Sequence, residues 1–205
     1  MQVIYVDNHL LVVVKPAGIS TQPHDPHAPN LTDSAKAWIK REFKKAGNVF
    51  LEPAHRLDKA VSGLVLFART SKALSRLQEM MRTRAVKKTY YARVEPLPKA
   101  QCGVLEHHLV HDDYRARVVP STHPQGKLAR LSYVVHADGL VEIDLETGRY
   151  HQIRAQFAAM GSPILGDAKY GSSVKRDKIA LHHGKLQFTH PVTKELLSLT
   201  AMGDN

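Results

Sequence analysis

The sequence predicts an α+β protein: a mixed, largely antiparallel sheet flanked by helices, in a single domain spanning residues 1–205. Three observations predict it. Short β-branched runs recur between turn residues. Few segments carry apolar residues at helical spacing. The strands are joined by hairpins or irregular stretches more often than by the regular crossover helices of a doubly wound parallel sheet.

The elements follow in order. Val3 to Val6 and Leu10 to Val14 read as strands joined by a turn at Asp7-Asn8. Lys15-Pro16-Ala17-Gly18 ends the second, because proline removes a ladder donor and glycine permits a turn. Gln22 to Asn30, rich in Pro and His, reads as a mobile loop. Leu31, Ala35, Trp38, Ile39 and Phe43 recur at helical spacing, with Thr32 or Asp33 as N-cap. Leu64 to Ala68 is a short apolar run suited to a buried strand, and Leu74, Leu77 and Met81 mark a helix after Ser71. Thr89 to Val94 is a further strand. Leu131 to Val135 and Leu140 to Leu145 pair as a hairpin around Asp138-Gly139. A third helix after Gly148 carries Ile153, Phe157 and Met160 and stops at Gly161, and Leu186 with Phe188 marks a late strand before His190-Pro191. No internal repeat appears, and no linker divides the chain.

Composition narrows the functional classes. Hydrophobic content of 43% is ordinary for a globular chain and excludes global disorder. No apolar run approaches the length of a bilayer span, and Met1 to Val14 lacks the basic start and cleavage site of a signal peptide, so a cytoplasmic protein with no membrane partner is expected. Cys102 is the only cysteine, which excludes an internal disulfide and a thiolate metal cluster; its neighbours match no nucleophile signature. His107, His108 and His111 have ligand-like spacing, but no clear acidic partner completes them, and Asp112-Asp113 serves equally as a turn; no metal is expected. The formal charge of +10 points to a polyanionic partner. It is gathered in three clusters: Lys36, Lys40, Arg41, Lys44 and Lys45; Arg82, Arg84, Lys87 and Lys88; Lys175, Arg176 and Lys178.

Two segments carry candidate chemistry. His55-Arg56-Leu57-Asp58-Lys59 places a carboxylate between basic side chains on a loop that feeds a buried strand. Neighbouring cations favour the ionised form, which suits a nucleophile better than a general acid. Alone, such an Asp is most simply a loop carboxylate in a surface ion pair. The second segment, Thr147-Gly148-Arg149-Tyr150-His151-Gln152-Ile153-Arg154, is rich in donors and leads into a helix. Its Arg149 and Arg154 supply forked guanidinium groups that match carboxylate or phosphate.

Together these residues resemble the RluA-type family of ribosomal and transfer RNA pseudouridine synthases. The resemblance begins at Val14-Lys15-Pro16-Ala17-Gly18 and continues through His55-Arg56-Leu57-Asp58 with Ser62-Gly63-Leu64, then Lys88-Thr89-Tyr90. It runs on through Thr147-Gly148-Arg149, His151-Gln152-Ile153-Arg154, Gly161, Pro163-Ile164 and Gly166-Asp167 to Leu181-His182, Leu186, Phe188 and His190-Pro191. Val61 departs from it, standing where the family usually has threonine. No separate N-terminal RNA-binding domain fits before Val3.

The resemblance implies the pseudouridine synthase catalytic fold and an isomerase that accepts a flipped-out uridine in a basic cleft. It assigns Asp58 as nucleophile and leaves attack on the sugar, attack on the base and a glycal route all open. Arg154 matches the arginine that pairs with that carboxylate, and Tyr90 the tyrosine that stacks on the flipped base and helps move the C5 proton. Arg56 enters the emptied stack or binds phosphate, or is a simple surface charge. Ile153 packs on the uracil face or belongs to the core. His55, Lys88 and Arg149 complete the expected RNA-binding set, while Lys15 shapes a turn. No metal or organic cofactor is needed, because the isomerisation has no redox step and consumes no water. The expected partner is rRNA or tRNA, with a monomer as the default state. Two other classes make different demands. A binding module without catalysis would not need Asp58, Tyr90 and Arg154 together. A carboxylate hydrolase needs a second, separated carboxylate, and neither Asp144 nor Glu146 lies in a recognisable partner motif.

Overall fold

The computed structural model describes residues 1–203 apart from His24, Pro26 and His27. Along the chain the elements run β1 (Gln2–Val6), β2 (Leu10–Lys15), α1 (Leu31–Glu42), β3 (Glu52–Pro53), β4 (Ser62–Ala68), α2 (Ser71–Arg82) and β5 (Lys87–Ala92). They continue with β6 (Cys102–Asp112), β7 (Arg115–Val119), β8 (Lys127–Val135), β9 (Val141–Leu145), α3 (Gln152–Ala159), a 3-10 turn (Ala168–Tyr170), β10 (Leu181–Thr189) and β11 (Leu196–Thr200). This is the α+β class expected from the sequence. The chain divides into two compact units: Met1–Val86 with His183–Gly203, and Lys87–His182.

In the first unit the strand order is β1-β2-β4-β10, with β3 pairing β4 and β11 pairing β10. β2 and β4 pair antiparallel, Val12 opposite Leu66. Their unbroken apolar runs, Leu10 to Val13 and Leu64 to Ala68, are completely buried, as expected of strands covered on both faces. Leu10, Val12, Leu64 and Leu66 pack with Ala73 and Leu77 of α2 and with Leu186 and Phe188 of β10. The Asp7-Asn8 turn is held by Asp7 Oδ1, which accepts from the amides of His9 (2.8 Å) and Leu10 (2.6 Å), while Asp7 Oδ2 lies 2.9 Å from His190 Nε2.

α1 is capped earlier than expected, two residues before Thr32 and three before Asp33. Asn30, not Thr32 or Asp33, is the N-cap: its side chain accepts from Asp33 N (2.9 Å) and donates to the Asp33 carboxylate (2.7 Å). This reciprocal pair satisfies a first-turn amide that otherwise lacks a partner. Thr32 instead turns inward, its hydroxyl donating to Thr21 O at 2.7 Å. α2 is capped by Thr70. The loop expected from Gln22 to Asn30 is joined at its ends by a bridge between Ser20 and Asn30; its His24, Pro26 and His27 lie outside the described residues.

In the second unit the order is β5-β9-β8-β6-β7, antiparallel throughout. The hairpin at Asp138-Gly139 is present as β8–β9, with Gly139 at φ 78. The β6–β7 hairpin was not legible: Cys102 to Asp112 mixes polar and apolar residues on both faces, so its period of two is weak. Its turn falls at Asp113 (φ 47), which agrees with reading Asp112-Asp113 as a turn. α3 packs on β6 and β7, with Ala155 against Leu109, Ala116 and Ala129, and Gly161 (φ 83) follows its C-cap. His107 and His108 point to opposite faces of β6; Gln156 Nε2 donates to His107 Nδ1 at 3.1 Å, and burial pushes that imidazole below its usual pKa. Cys102 is exposed. Among the described residues no helix is long and apolar enough to cross a membrane, and no group of three or more His, Cys, Asp or Glu is arranged to hold a metal.

Candidate active site

In the first unit, Asp58 is partly exposed on the loop between β3 and β4. Buried polar groups hold that loop by its backbone. Leu57 N donates to the Thr21 hydroxyl at 3.1 Å, and the same hydroxyl donates to Leu57 O at 3.1 Å. Thr21 O is in turn held by the amide (3.0 Å) and hydroxyl of Thr32, so the start of α1 braces the residue before Asp58. On the other side, Lys59 O accepts from Gly18 N at 2.8 Å and from Lys15 Nζ at 3.3 Å.

Lys15 does more than shape a turn. Its side chain is fully buried, and its ammonium also donates to Pro16 O (2.9 Å) and Ile19 O (2.8 Å). Burial lowers its pKa to about 8, with Asp58 opposing the shift by favouring the cation. Lys15 thus places a buried cation within electrostatic reach of the Asp58 carboxylate. The signal in the sequence was a lysine ending an otherwise apolar strand.

Of the flanking residues, Arg56 is exposed. His55 is partly buried: its Nε2 accepts from Leu66 N at 3.2 Å, and its ring meets the His183 ring edge-on with centroids 5.4 Å apart. One face of His55 therefore serves the fold of this unit. Gly63 (φ 123) lies so near the backbone of β10 that a Cβ there would fall 2.4 Å from His183 O, which explains the glycine in Ser62-Gly63-Leu64.

In the second unit, Tyr90 is buried in β5 opposite Ile143, and its neighbour Thr89 donates to Asp144 Oδ1 at 2.7 Å. Lys88 is partly buried, which lowers its pKa, and its Nζ lies beside Gly148. The segment Thr147 to Arg154 is braced by Gln152. Gln152 Oε1 accepts from the Thr147 hydroxyl (2.7 Å) and Arg149 N (3.0 Å), and its amide donates to Arg130 O (3.1 Å). Arg149 is exposed, with Nε donating to Leu128 O at 2.9 Å. Ile153 is buried on α3.

Arg154 is also buried. Its Nε donates to Asp167 Oδ2 at 2.6 Å and its Nη2 to Asp167 Oδ1 at 2.8 Å, while Nη1 donates to His151 Nε2 at 3.0 Å. In the sequence Asp167 and His151 are only motif letters; nothing in residue spacing marks them as partners of this guanidinium. Chemically, the first unit offers a carboxylate on a tethered loop, and the second a doubly paired arginine, a buried tyrosine, a partly buried lysine and an exposed arginine.

Comparison with known proteins gives this inventory a class. Residues 9–159 match the model of the family described as RNA pseudouridylate synthase. The chain belongs to the RNA pseudouridylate synthase family, and within it to the RluA type; it is an isomerase acting on uridine in RNA. It is 34% identical to the dual-specificity RNA pseudouridine synthase RluA of Haemophilus influenzae, over all of this chain and 94% of that one. It is equally identical to the RNA pseudouridine synthase YhcT of Bacillus subtilis, over 96% of this chain and 67% of that one. The structure of human RNA pseudouridylate synthase domain containing 4 shares the fold, with a TM-score of 0.83 at 24% identity over 98% of this chain and 88% of that one.

Proposed function

We propose that this synthase isomerises a flipped-out uridine in ribosomal RNA, transfer RNA or both, with Asp58 as its nucleophile. The observation that carries the assignment of Asp58 is the tethering of its loop by Lys15, Thr21 and Gly18. A reacting group gains most from a backbone that does not move when charge develops. The likeness to a dual-specificity relative supports the breadth of substrates.

The chemistry sets the other roles. Extruding the nucleotide costs a few kcal/mol of stacking and pairing. The N1–C1′ bond then breaks, the uracil turns, C5 bonds to C1′, the C5 proton leaves and N1 takes up a proton, so that composition is unchanged. Whether Asp58 attacks the sugar, attacks the base or promotes a glycal, it must sit ionised beside the anomeric carbon. Arg154 supplies the guanidinium that holds it there. Tyr90 stacks on the base and assists the C5 proton, and Ile153 packs on the uracil face. Arg56 fills the emptied stack or meets phosphate, and His55, Lys88 and Arg149 line the path of the RNA. The enzyme works as a cytoplasmic monomer without metal or organic cofactor.

Mapping pseudouridine across total RNA, with and without the protein, identifies the target. Asp58→Asn is expected to abolish product while RNA affinity stays within about twofold of the parent, because the carboxylate acts in the transition state. Unchanged turnover by Asp58→Asn would overturn the nucleophile assignment. Free uracil released from the RNA would favour a hydrolase instead.

A further inference from the structure

We infer that His151 and Tyr170, with Asp167, are positioning residues that hold Arg154 in its working orientation. This rests on the proposed role of Arg154 above.

The guanidinium is held on three sides. Asp167 takes Nε and Nη2 through two parallel bonds, which sets the plane of the fork. His151 Nε2 accepts from Nη1 at 3.0 Å. The Tyr170 ring lies beneath, 4.9 Å from the guanidinium carbon to the ring centroid. Because arginine only donates, His151 Nε2 must present a lone pair, and the proton sits on Nδ1. That Nδ1–H donates to the Tyr170 hydroxyl oxygen at 2.8 Å, and the same oxygen accepts from Ala116 N at 2.7 Å. Arg154 therefore fixes the tautomer of His151, and Tyr170, itself anchored by Ala116 N of β7, holds the other ring nitrogen.

The backbone supports this assignment. His151 sits at the start of α3 with φ 49 and makes no side-chain cap bond, so its left-handed conformation does not serve the helix terminus. It turns the imidazole back toward Arg154 one turn on. Burial first, then the Arg154 charge, lower the His151 pKa to about 3, so the ring stays neutral and able to accept at any working pH.

The test compares His151→Leu, His151→Gln and Tyr170→Phe with the parent. Tritium release from total RNA labelled at uracil C5, taken from cells lacking the protein, is followed under single turnover with saturating enzyme. Filter binding to the same RNA and thermal midpoints are measured alongside. Leucine and glutamine carry the same left-handed strain, but only glutamine offers an acceptor. His151→Leu and Tyr170→Phe should react roughly ten- to hundredfold slower, as losses of orienting partners do, with RNA affinity within about twofold. His151→Gln should recover most of the rate. Parent rates in His151→Leu and Tyr170→Phe, or a His151→Gln as slow as His151→Leu, would overturn the inference. Asp58→Asn, run beside them, separates the two claims. If it is inactive while His151→Leu is fast, only the positioning role falls; if it turns over, the nucleophile assignment falls on its own.

Discussion

Arg154 and Asp167 form a bidentate ion pair in which both side chains are buried, 6% and 1% exposed. The pair joins α3 to the segment after Gly166, thirteen residues further along the chain. Removing two charges from water is costly, and the cost is recovered only with both partners present and well aligned.

Asp167→Asn should therefore destabilise the protein by about 3–5 kcal/mol, because it removes the bidentate, charged partner of a buried guanidinium. Replacing both residues, Arg154 by Met and Asp167 by Leu, should cost less stability than the single change. Urea denaturation of the three proteins checks this; an Asp167→Asn variant as stable as its parent would contradict the pairing.

A second prediction concerns pH. His151 titrates near 3 in the folded chain against an ordinary 6.5, chiefly through burial. Between those values the unfolded chain binds a proton there that the folded chain does not, so stability rises with pH. The contribution is complete above about pH 6.5 and disappears as pH falls to about 3. Thermal midpoints across that window should fall more steeply with acid in the parent than in His151→Gln. Parallel curves would refute the shift.

Gly63→Ala tests the close approach of β4 and β10. The added methyl would meet His183 O at 2.4 Å, on a backbone at φ 123 that L side chains rarely adopt. Neither strand can retreat without breaking its ladder. A loss of about 3 kcal/mol or more is expected, read as a lower denaturation midpoint or as insoluble protein. A methyl accommodated within about 1 kcal/mol would mean that the two strands separate easily.

RNA affinity should fall steeply with salt, since a protein of net charge +10 displaces counterions from phosphates. Titration of binding between low and moderate salt gives the slope on a double-logarithmic plot. A flat line would deny that Lys and Arg meet the backbone.

What the sequence alone determined is local or periodic. Leu10 to Val14 and Leu64 to Ala68 declared buried strands by unbroken apolar runs, α1 and α2 declared themselves by spacing, and Asp138-Gly139 marked its hairpin. The family was legible because its motif letters occur in order along nearly the whole chain, and Asp58 and Arg154 came with them. Only the tertiary structure decided which side chains hold those letters in place. Lys15 reaches Lys59 O across 44 residues and Thr21 reaches Leu57 across 36, while Asp167 returns to Arg154 from beyond the end of its helix. The β6–β7 hairpin became legible only once β8 paired with it. The reason is physical: periodicity and turn chemistry act between neighbours in sequence, whereas a buried ammonium or guanidinium is satisfied by whatever folding brings within about 3 Å.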